Sequence, residues 1–453
     1  MAKTKSVFFC QNCGYESPKW QGKCPSCSEW NTFVEETISK SSGRHLQATT
    51  ENQGIPIPIT EAEEEVQARL TTGQSETDRV LGGGMVKGSL VLIAGEPGIG
   101  KSTLLLQMAL NFEKGAVLYV SGEESNAQIA DRAKRIGHLT PNCYLLSETN
   151  PESIISQAKK LNPAFIVIDS VQTLSASWIE SSPGSISQIR ESTARLMQFA
   201  KQSSTTLFLI GHITKEGSIA GPKVLEHMVD TVMVFEGDRN HVFRLLRSTK
   251  NRFGSTNEIG VYRMEGSGLQ AVTNPSEVLI NHYSENMSGS AASVIIEGIR
   301  PFIVEVQALV SSAVYGTPQR TATGFDIKRL NMLLAVLEKR CGFKLGGKDV
   351  FLNVAGGIKV SDPALDLSVA AAILSSSEDL SIEPGACFCG EIGLSGEIRP
   401  VNRVEKRISE AEKLGFKTIF VSFFHEKDSI SQKSGIRIIP IRHIREMLTK
   451  MFG

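Results

Sequence analysis

The sequence has no long apolar run. None of its hydrophobic stretches reaches the about 18 residues that a membrane-spanning helix needs, and residues 1–11 lack the apolar core of a secretory signal. With 41% hydrophobic and 21% charged residues, the composition is that of a globular protein. We therefore expect a cytoplasmic protein with no membrane partner.

The chain also lacks a net charge. Its 48 Lys and Arg residues balance 48 Asp and Glu residues, so no overall positive field attracts nucleic acid. Any contact with DNA must come from a local basic patch, and neutrality neither favours nor excludes such a contact. A chain of 453 residues is too long for one ordinary core, so two or three domains are expected.

Cysteine is scarce outside one short segment. Half of the 8 cysteines form two C-x-x-C pairs that are separated by ten residues, namely Cys10, Cys13, Cys24 and Cys27. Each pair can hold one edge of a tetrahedral Zn²⁺ site, and the loop between them has about the length found in a zinc ribbon or knuckle. A redox dithiol and unrelated surface thiols are the alternatives. Residues 1–37 are too few to bury a sufficient core, so zinc would supply their folding free energy.

Two features follow this zinc-binding segment. Trp20 and Trp30 flank the second cysteine pair, where they could pack over the metal or stack on a base, and packing is the favoured role. Residues 38–65 are rich in Ser, Thr, Gln and Glu and show no apolar periodicity. That composition predicts a linker.

Residues 95–102 read GEPGIGKS and fit G-x-x-x-x-G-K-[ST] at every fixed position. An apolar run precedes them and a helical pattern follows, which is the order that a phosphate-binding loop requires, so a chance match is disfavoured. The glycines allow backbone N–H groups to face a polyphosphate at the positive end of the helix. The residues expected to contact ATP are Gly95, Glu96, Pro97, Gly98, Ile99, Gly100, Lys101, Ser102 and Thr103.

Roles within this loop follow from its chemistry. Lys101 would reach the β- and γ-phosphates as a point charge, and the Ser102 hydroxyl would join the Mg²⁺ shell. Residues 165–169 read FIVID, an apolar strand that ends in a carboxylate, as a Walker B element does. Asp169 would hold Mg²⁺ or its water.

Strands and helices alternate after residue 90, which predicts an α/β domain over 66–274 with a largely parallel sheet. Glu123 and Glu124 follow the strand AVLYV, where they would face the ligand crevice. Glu123 is the candidate for polarising the attacking water and Glu124 the second choice; both could instead begin a helix. His212 follows another buried strand and could sense the γ-phosphate or DNA, or only fill a crevice.

Three later segments, 231–235, 242–248 and 258–264, predict strands of an antiparallel extension. The sequence KNRFG lies between the last two, at residues 250–254, and a solvated turn is the alternative for it. A second domain over 290–453 begins with a hairpin and contains helices near 327–341 and 364–376.

The zinc pairs, the phosphate loop and KNRFG occur in the order typical of the RadA/Sms family of bacterial DNA repair proteins, which the chain resembles over essentially its whole length. The resemblance implies a RecA-like ATPase core and a Lon-protease-like C-terminal domain. It implies an ATP-driven motor that forms a ring, with single-stranded and branched DNA and the recombinase RecA as its partners. A hexamer that promotes branch migration in homologous recombination is the expectation. By the same resemblance Glu123 matches the catalytic glutamate, and KNRFG is the family's own signature.

The C-terminal domain departs from proteolytic Lon, which has a Ser-Lys dyad. Ala364 and Glu405 align with the serine and the lysine, so a non-proteolytic domain is expected. A shifted register would involve Ser361, Ser368 or Lys406. Two rival interpretations remain, an ATP-dependent protease and a regulatory ATPase that does not bind DNA. The missing dyad counts against the protease.

Lys101 is the only cation in the phosphate loop, whereas related ring ATPases add one from a neighbouring subunit. Lys250 and Arg252 alternate along an extended segment and would project together toward the nucleotide of an adjacent protomer. Phe253 would anchor the segment in the core, and Gly254 would allow the turn. Direct DNA contact is the competing role, on a surface of Lys215, Lys223, Lys250 and Arg252.

Overall fold

The computed structural model describes residues 4–10, 14–39, 69–213, 219–220, 224–237, 243–272, 287–313, 316–355, 359–425 and 435–452. Cys13, Lys215, Lys223 and most of the expected linker lie outside these ranges. The chain divides into two compact units, one of Met1–Arg239 with Arg244–Ala271 and the other of Asn240–Phe243 with Val272–Gly453. None of the described helices is long and apolar enough to cross a membrane.

The N-terminal segment forms a small antiparallel sheet. Its strands are β1 (Thr4–Cys10), β2 (Glu16–Ser17) and β3 (Phe33–Ser39), in the order β2-β1-β3. Cys10, at the end of β1, is directly opposite Phe33 of β3. This pairing brings Cys10 next to the chain that leaves the second cysteine pair.

The first unit also contains a large mixed sheet in the order β13-β12-β11-β10-β4-β8-β7-β5-β6, with β9 paired to β8. Its strands are β4 (Leu90–Gly95), β5 (Val117–Ser121), β6 (Cys143–Ser147), β7 (Phe165–Asp169), β8 (Thr206–Ile213), β9 (Ile219–Ala220), β10 (Thr231–Glu236), β11 (Phe243–Asn251), β12 (Ile259–Glu265) and β13 (Gly268–Ala271). The six strands from β10 to β6 in this order run parallel.

The three strands expected after residue 231 are present, and β10 pairs antiparallel with β11 as expected. β10 also lies parallel to β4, so it joins the antiparallel extension to the parallel strands, a pairing that was not expected. The sequence of an apolar strand that is buried on both faces does not indicate whether the strand pairs parallel or antiparallel. The connection to the neighbouring strand decides the direction of pairing.

Helices cover both faces of this sheet. They are α1 (Ser75–Leu81), α2 (Lys101–Asn111), α3 (Asn126–Ile136), α4 (Pro151–Leu161), α5 (Ile186–Ser203) and α6 (Val224–Met228). Alternate residues of β4 enter different cores, since Val91 and Ile93 pack on one side and Leu90 and Leu92 on the other. Both faces of the strand are therefore apolar, and only its ends are available for polar groups.

The second unit is built on a seven-stranded sheet in the order β16-β17-β15-β14-β18-β21-β22. The strands are β14 (Ser290–Glu297), β15 (Arg300–Ser312), β16 (Arg320–Thr323), β17 (Lys348–Val354), β18 (Ala386–Cys389), β19 (Glu391–Ile392), β20 (Ile398–Arg399), β21 (Thr418–Ser422) and β22 (Arg437–Ile441), of which β19 and β20 form a separate pair. The helices are α7 (Ile327–Val336), α8 (Asp366–Glu378), α9 (Val404–Lys413) and α10 (Ile444–Phe452).

Two of these helices have modified ends. A π-helical turn, Leu337–Cys341, extends α7 up to Gly342, whose φ of 84° ends the helix. A 3₁₀ turn, Pro363–Leu365, precedes α8, and the Asp362 side chain caps it by accepting a hydrogen bond from the Ala364 N–H. These bounds place Ala364 and α8 in the buried centre of the unit.

Candidate functional site

The parallel strands bring four polar positions to one edge of the large sheet. Gly95 at the end of β4 is opposite His212 of β8, and Ser121 at the end of β5 is opposite Asp169 of β7. Because parallel strands share their carboxyl edge, residues distant in sequence converge there. The phosphate loop, the segment containing Glu123, Asp169 and His212 therefore line one crevice.

The phosphate loop connects β4 to α2 with little room for side chains. A Cβ on Gly95 would lie 2.7 Å from the carbonyl oxygen of Phe235, and Gly100 has a φ of 118°. Ile99 is buried and fixes the loop on the core, whereas Glu96, Pro97 and Gly98 are exposed. The glycines at these positions are required by close packing and by backbone conformation.

Lys101 is the first residue of α2 and is only 4% exposed. Its ammonium donates hydrogen bonds to the carbonyl oxygens of Gly95 at 2.7 Å and Glu96 at 2.9 Å. Burial lowers the pKa of Lys101 to about 8, and the charges of Asp169, Glu123 and Glu96 oppose this shift. A buried cation thus faces two carboxylates across the crevice, in a place suited to a polyphosphate.

The two neighbouring glutamates have different partners. Glu123 accepts a hydrogen bond of 2.6 Å from the Ser170 hydroxyl and lies 3.6 Å from Nε2 of His212. Glu124 instead forms an ion pair of 2.8 Å with Arg132. Their backbone N–H groups both donate to Oγ of Ser121, which fixes the turn that separates them. Glu123 remains the candidate base that faces the crevice.

Asp169 has two partners that the sequence analysis missed. Its Oδ2 accepts a hydrogen bond of 2.7 Å from Tyr119 and is 3.9 Å from Nη2 of Arg132. Burial, followed by the charge of Asp169, raises the pKa of Tyr119 well above its usual value. The one available signal was a tyrosine inside an apolar strand, because a buried hydroxyl requires a partner.

KNRFG lies in the same sheet but at the opposite end of β4 from the phosphate loop. The Lys250 ammonium donates to the carbonyl oxygens of Glu226 and Val229, both at 2.7 Å, and Arg252 pairs with Asp230 at 3.0 Å. Asp230 also accepts a hydrogen bond from the N–H of Leu90, the first residue of β4, whereas Gly95 is the last.

The length of β4 separates these cations from the phosphate loop of their own chain. Five residue steps at about 3.3 Å each give about 17 Å, too far for either side chain to reach a nucleotide in that loop. Arg252 is 53% exposed, so it remains available on the surface, while burial lowers the pKa of Lys250. Phe253 is half-buried rather than anchored in the core as expected, since the segment ends at the sheet's rim.

The N-terminal sheet assembles three of the four predicted metal ligands. The sulfur atoms of Cys10, Cys24 and Cys27 all lie within 4.8 Å of one another, and those of Cys10 and Cys27 are 3.7 Å apart. Tetrahedral zinc–sulfur bonds of about 2.3 Å place sulfurs about 3.8 Å apart, so the three residues present fit a zinc ion.

The carbonyl oxygens of Cys10 and Cys24 accept equivalent backbone hydrogen bonds, each from the N–H four residues later. The Gly14 N–H donates to Cys10 O at 2.8 Å, and the Ser28 N–H donates to Cys24 O at 2.9 Å. Trp20 and Trp30 are 54% and 67% exposed, and atoms of both rings lie within 4 Å of the position that a Cβ on Gly22 would take. Neither indole is buried in a core, and packing of the rings over the metal stays a prediction.

The position of the Lon dyad is occupied by a different arrangement. Ala364 is fully buried and Glu405 is exposed, while Ser368 in α8 is buried and donates to Leu365 O at 2.8 Å. Among the residues that the structure describes, neither Ser361 nor Ser368 has a lysine as a hydrogen-bond partner. A Ser-Lys dyad in a shifted register is thus not assembled in these parts of the chain.

Comparison with known proteins adds three family matches. Residues 8–35 match the rubredoxin metal binding domain, residues 58–218 match the AAA domain, and residues 307–424 match subunit ChlI of Mg-chelatase. They confirm the expected fold class, with an N-terminal zinc ribbon, a P-loop ATPase core and a Lon-like C-terminal domain.

Similar proteins cover the entire chain. The DNA repair protein RadA of Bacillus subtilis (strain 168) is 50% identical over 100% of both chains, and that of Streptococcus pyogenes serotype M1 is 48% identical over 100% of both. The RadA protein of Halalkalibacterium halodurans is 49% identical over 93% of each chain. Identity at this level along the full length shows that the chain belongs to the family of DNA repair protein RadA.

Proposed function

We propose that the protein is an ATP-dependent DNA motor of homologous recombination and repair, which promotes branch migration on single-stranded and branched DNA. The observation that carries the proposal is the convergence of Lys101, Glu123 and Asp169 at one sheet edge, in a chain similar to DNA repair protein RadA throughout. We assign residues 66–274 to the ATPase domain, with residues 1–37 as the zinc-binding segment and 290–453 as a non-proteolytic Lon-like domain.

Each residue of the site has a role that its chemistry supports. Lys101 and the backbone of residues 95–103 would bind the phosphates of ATP, and Ser102 with Asp169 would hold Mg²⁺, which neutralises phosphate charge. Glu123 would take the proton of the attacking water, held in place by Ser170 and facing His212. Cys10, Cys24 and Cys27, with Cys13 as the fourth ligand, would bind one structural zinc ion.

The test measures ATP hydrolysis with and without single-stranded DNA, and strand exchange on a branched substrate. Lys101→Ala should reduce hydrolysis by several orders of magnitude, and Glu123→Gln should bind ATP yet hydrolyse it poorly, because an amide cannot accept the proton. An ATPase whose rate does not respond to DNA would favour a regulatory ATPase instead. Peptide cleavage that depends on Ser361 or Ser368 would favour a protease.

We also propose that the protein forms a hexameric ring in which Lys250 and Arg252 act on the nucleotide of the neighbouring subunit. The length of β4, about 17 Å, supports this role, because it keeps both cations too far from the phosphate loop of their own chain. Arg252 is the better candidate to reach outward, since it is half-exposed, whereas Lys250 satisfies the carbonyl oxygens at the end of α6.

Mixing two inactive variants tests this assignment. Arg252→Ala and Lys101→Ala subunits should each be inactive alone, whereas mixed rings contain some interfaces with an intact Lys101 facing an intact Arg252. Partial recovery of ATP hydrolysis is expected. If mixed rings form and no activity returns, direct DNA contact by Lys250 and Arg252 is preferred. The recombinase RecA is the protein partner that we propose, and co-purification with it provides the corresponding test.

A further inference from the structure

The carboxylate of Asp169 is held through one oxygen. Within the described parts of the chain, its side-chain contacts fall on Oδ2, which accepts from the Tyr119 hydroxyl at 2.7 Å and lies 3.9 Å from Nη2 of Arg132. The Asp169 side chain is only 8% exposed, so these contacts are poorly screened by water. Neither of these contacts involves Oδ1.

The direction of the hydrogen bonds follows from the donors present. Nη2 of Arg132 lies 3.3 Å from the Tyr119 hydroxyl, and a guanidinium can only donate. The tyrosine oxygen therefore accepts from Arg132, and its own proton points to the carboxylate, which can only accept. Tyr119 is fully buried, so no water competes for this proton.

Arg132 is itself fixed at its other end. Its Nη1 donates to Oε1 of Glu124 at 2.9 Å and forms the ion pair with that carboxylate, so the guanidinium is held by Glu124 at Nη1 and by Tyr119 at Nη2. α3 carries Arg132 and begins with a capping box of Ser125 and Gln128 directly after Glu124. The glutamate, the helix start and the arginine thus form one rigid unit.

We propose that Tyr119, supported by the Arg132–Glu124 pair, is the positioning residue that fixes the Asp169 carboxylate and directs Oδ1 toward the metal ion of the bound nucleotide. This inference rests on the function proposed above. It also separates the two adjacent glutamates, since Glu123 faces Ser170 and His212 while Glu124 acts only through Arg132. Neither Tyr119 nor Arg132 belongs to a nucleotide-binding motif in the sequence.

The test is Tyr119→Phe in the full-length protein, which removes one hydroxyl and keeps the ring. Binding of a fluorescent, non-hydrolysable ATP analogue is titrated with Mg²⁺, and binding in EDTA is measured separately. We expect the Mg²⁺ midpoint to rise about 10-fold, as when the hydrogen-bond partner of a metal ligand is removed, with affinity in EDTA unchanged. Hydrolysis should recover as Mg²⁺ is raised.

Tyr262→Phe is the matched control, because Tyr262 is also fully buried and its hydroxyl bonds Thr77 at 2.6 Å instead of a carboxylate. It should leave the Mg²⁺ midpoint unchanged. Arg132→Met should raise the midpoint, Arg132→Lys less so, and the double variant Tyr119→Phe/Arg132→Met should show less than the product of the single effects, since both act on one oxygen.

The outcomes distinguish this inference from the proposed function. An unchanged Mg²⁺ midpoint in both Tyr119→Phe and Arg132→Met overturns the inference, while ATP hydrolysis that requires Lys101 in the wild type leaves the proposed function intact. If Tyr119→Phe does not fold, as judged by its melting curve, Arg132→Met decides, because that side chain is partly exposed at 17%. Equal loss of binding with and without Mg²⁺ also counts against a positioning role.

Discussion

Replacing Arg407 by Met should destabilise the second unit strongly. The Arg407 guanidinium is 3% exposed and donates to Asp362 Oδ2 and to Val294 O, both at 2.7 Å, and to Asn402 O at 3.0 Å. Asp362, 7% exposed, also accepts from the N–H groups of Ile296 at 2.7 Å and Ala364 at 3.0 Å. This ion pair therefore ties β14 to the start of α8 and to α9.

The magnitude follows from what Arg407→Met leaves behind. A carboxylate remains buried without a counter-charge, and two carbonyl oxygens lose a donor, so the expected cost is about 3–5 kcal/mol. Such a loss is a large fraction of the roughly 5–15 kcal/mol that stabilises a domain. Adding Asp362→Asn removes the stranded charge and retains an acceptor, so the double variant should be less destabilised than the sum of the single variants by about 1–3 kcal/mol.

Hydrogen exchange followed by mass spectrometry suits this test. The 3 tryptophans, Trp20, Trp30 and Trp178, all belong to the first unit, so intrinsic tryptophan fluorescence does not report on the second. Amides of β14 and β15 should lose protection in Arg407→Met. Arg399→Met is the control, because Arg399 pairs with Glu397 at the surface, where such pairs contribute about 0–1 kcal/mol. A change below about 1 kcal/mol in Arg407→Met would refute the reasoning.

Three further predictions concern other parts of the chain. Gly122→Ala places a Cβ against Oγ1 of Thr173 and 2.7 Å from its Cβ, so the turn that carries Glu123 must move. Steady-state kinetics should show a fall of at least about tenfold in kcat, with nucleotide affinity retained and partial rescue by Thr173→Ala. Metal analysis should find one zinc per chain in the wild type and none in Cys24→Ser, which should also expose residues 14–39 to protease while the melting temperature of the ATPase core stays the same. Ser368→Ala should leave peptidase assays at background, because this hydroxyl is already bonded to Leu365 O; a peptidase activity lost in this variant would contradict that.

Local chemistry was predictable wherever a motif is short and contiguous. The phosphate loop, the apolar strands before Asp169 and Glu123, and the cysteine pairs were all evident from spacing, because each depends on neighbours within a few residues. The order of strands was only partly predictable. β10 pairs antiparallel with β11 as expected, whereas its parallel pairing with β4 was not predicted, since it depends on a partner about 140 residues earlier in the chain, as the Leu90–Asp230 contact illustrates.

The sequence by itself determined that the chain contains a phosphate-binding loop, two acids after apolar strands and a cysteine set suited to zinc. Only the tertiary structure decided which partner each of these groups has, because the partners depend on which strands are adjacent and in which register. The pairing of Ser121 with Asp169 brings Tyr119 and Arg132 to the carboxylate, assigns Glu124 to Arg132, and leaves Glu123 facing the crevice. Lys250 and Arg252 lie near the first residue of β4, whereas the phosphate loop follows its last residue. The length of the extended strand therefore fixes the distance between them.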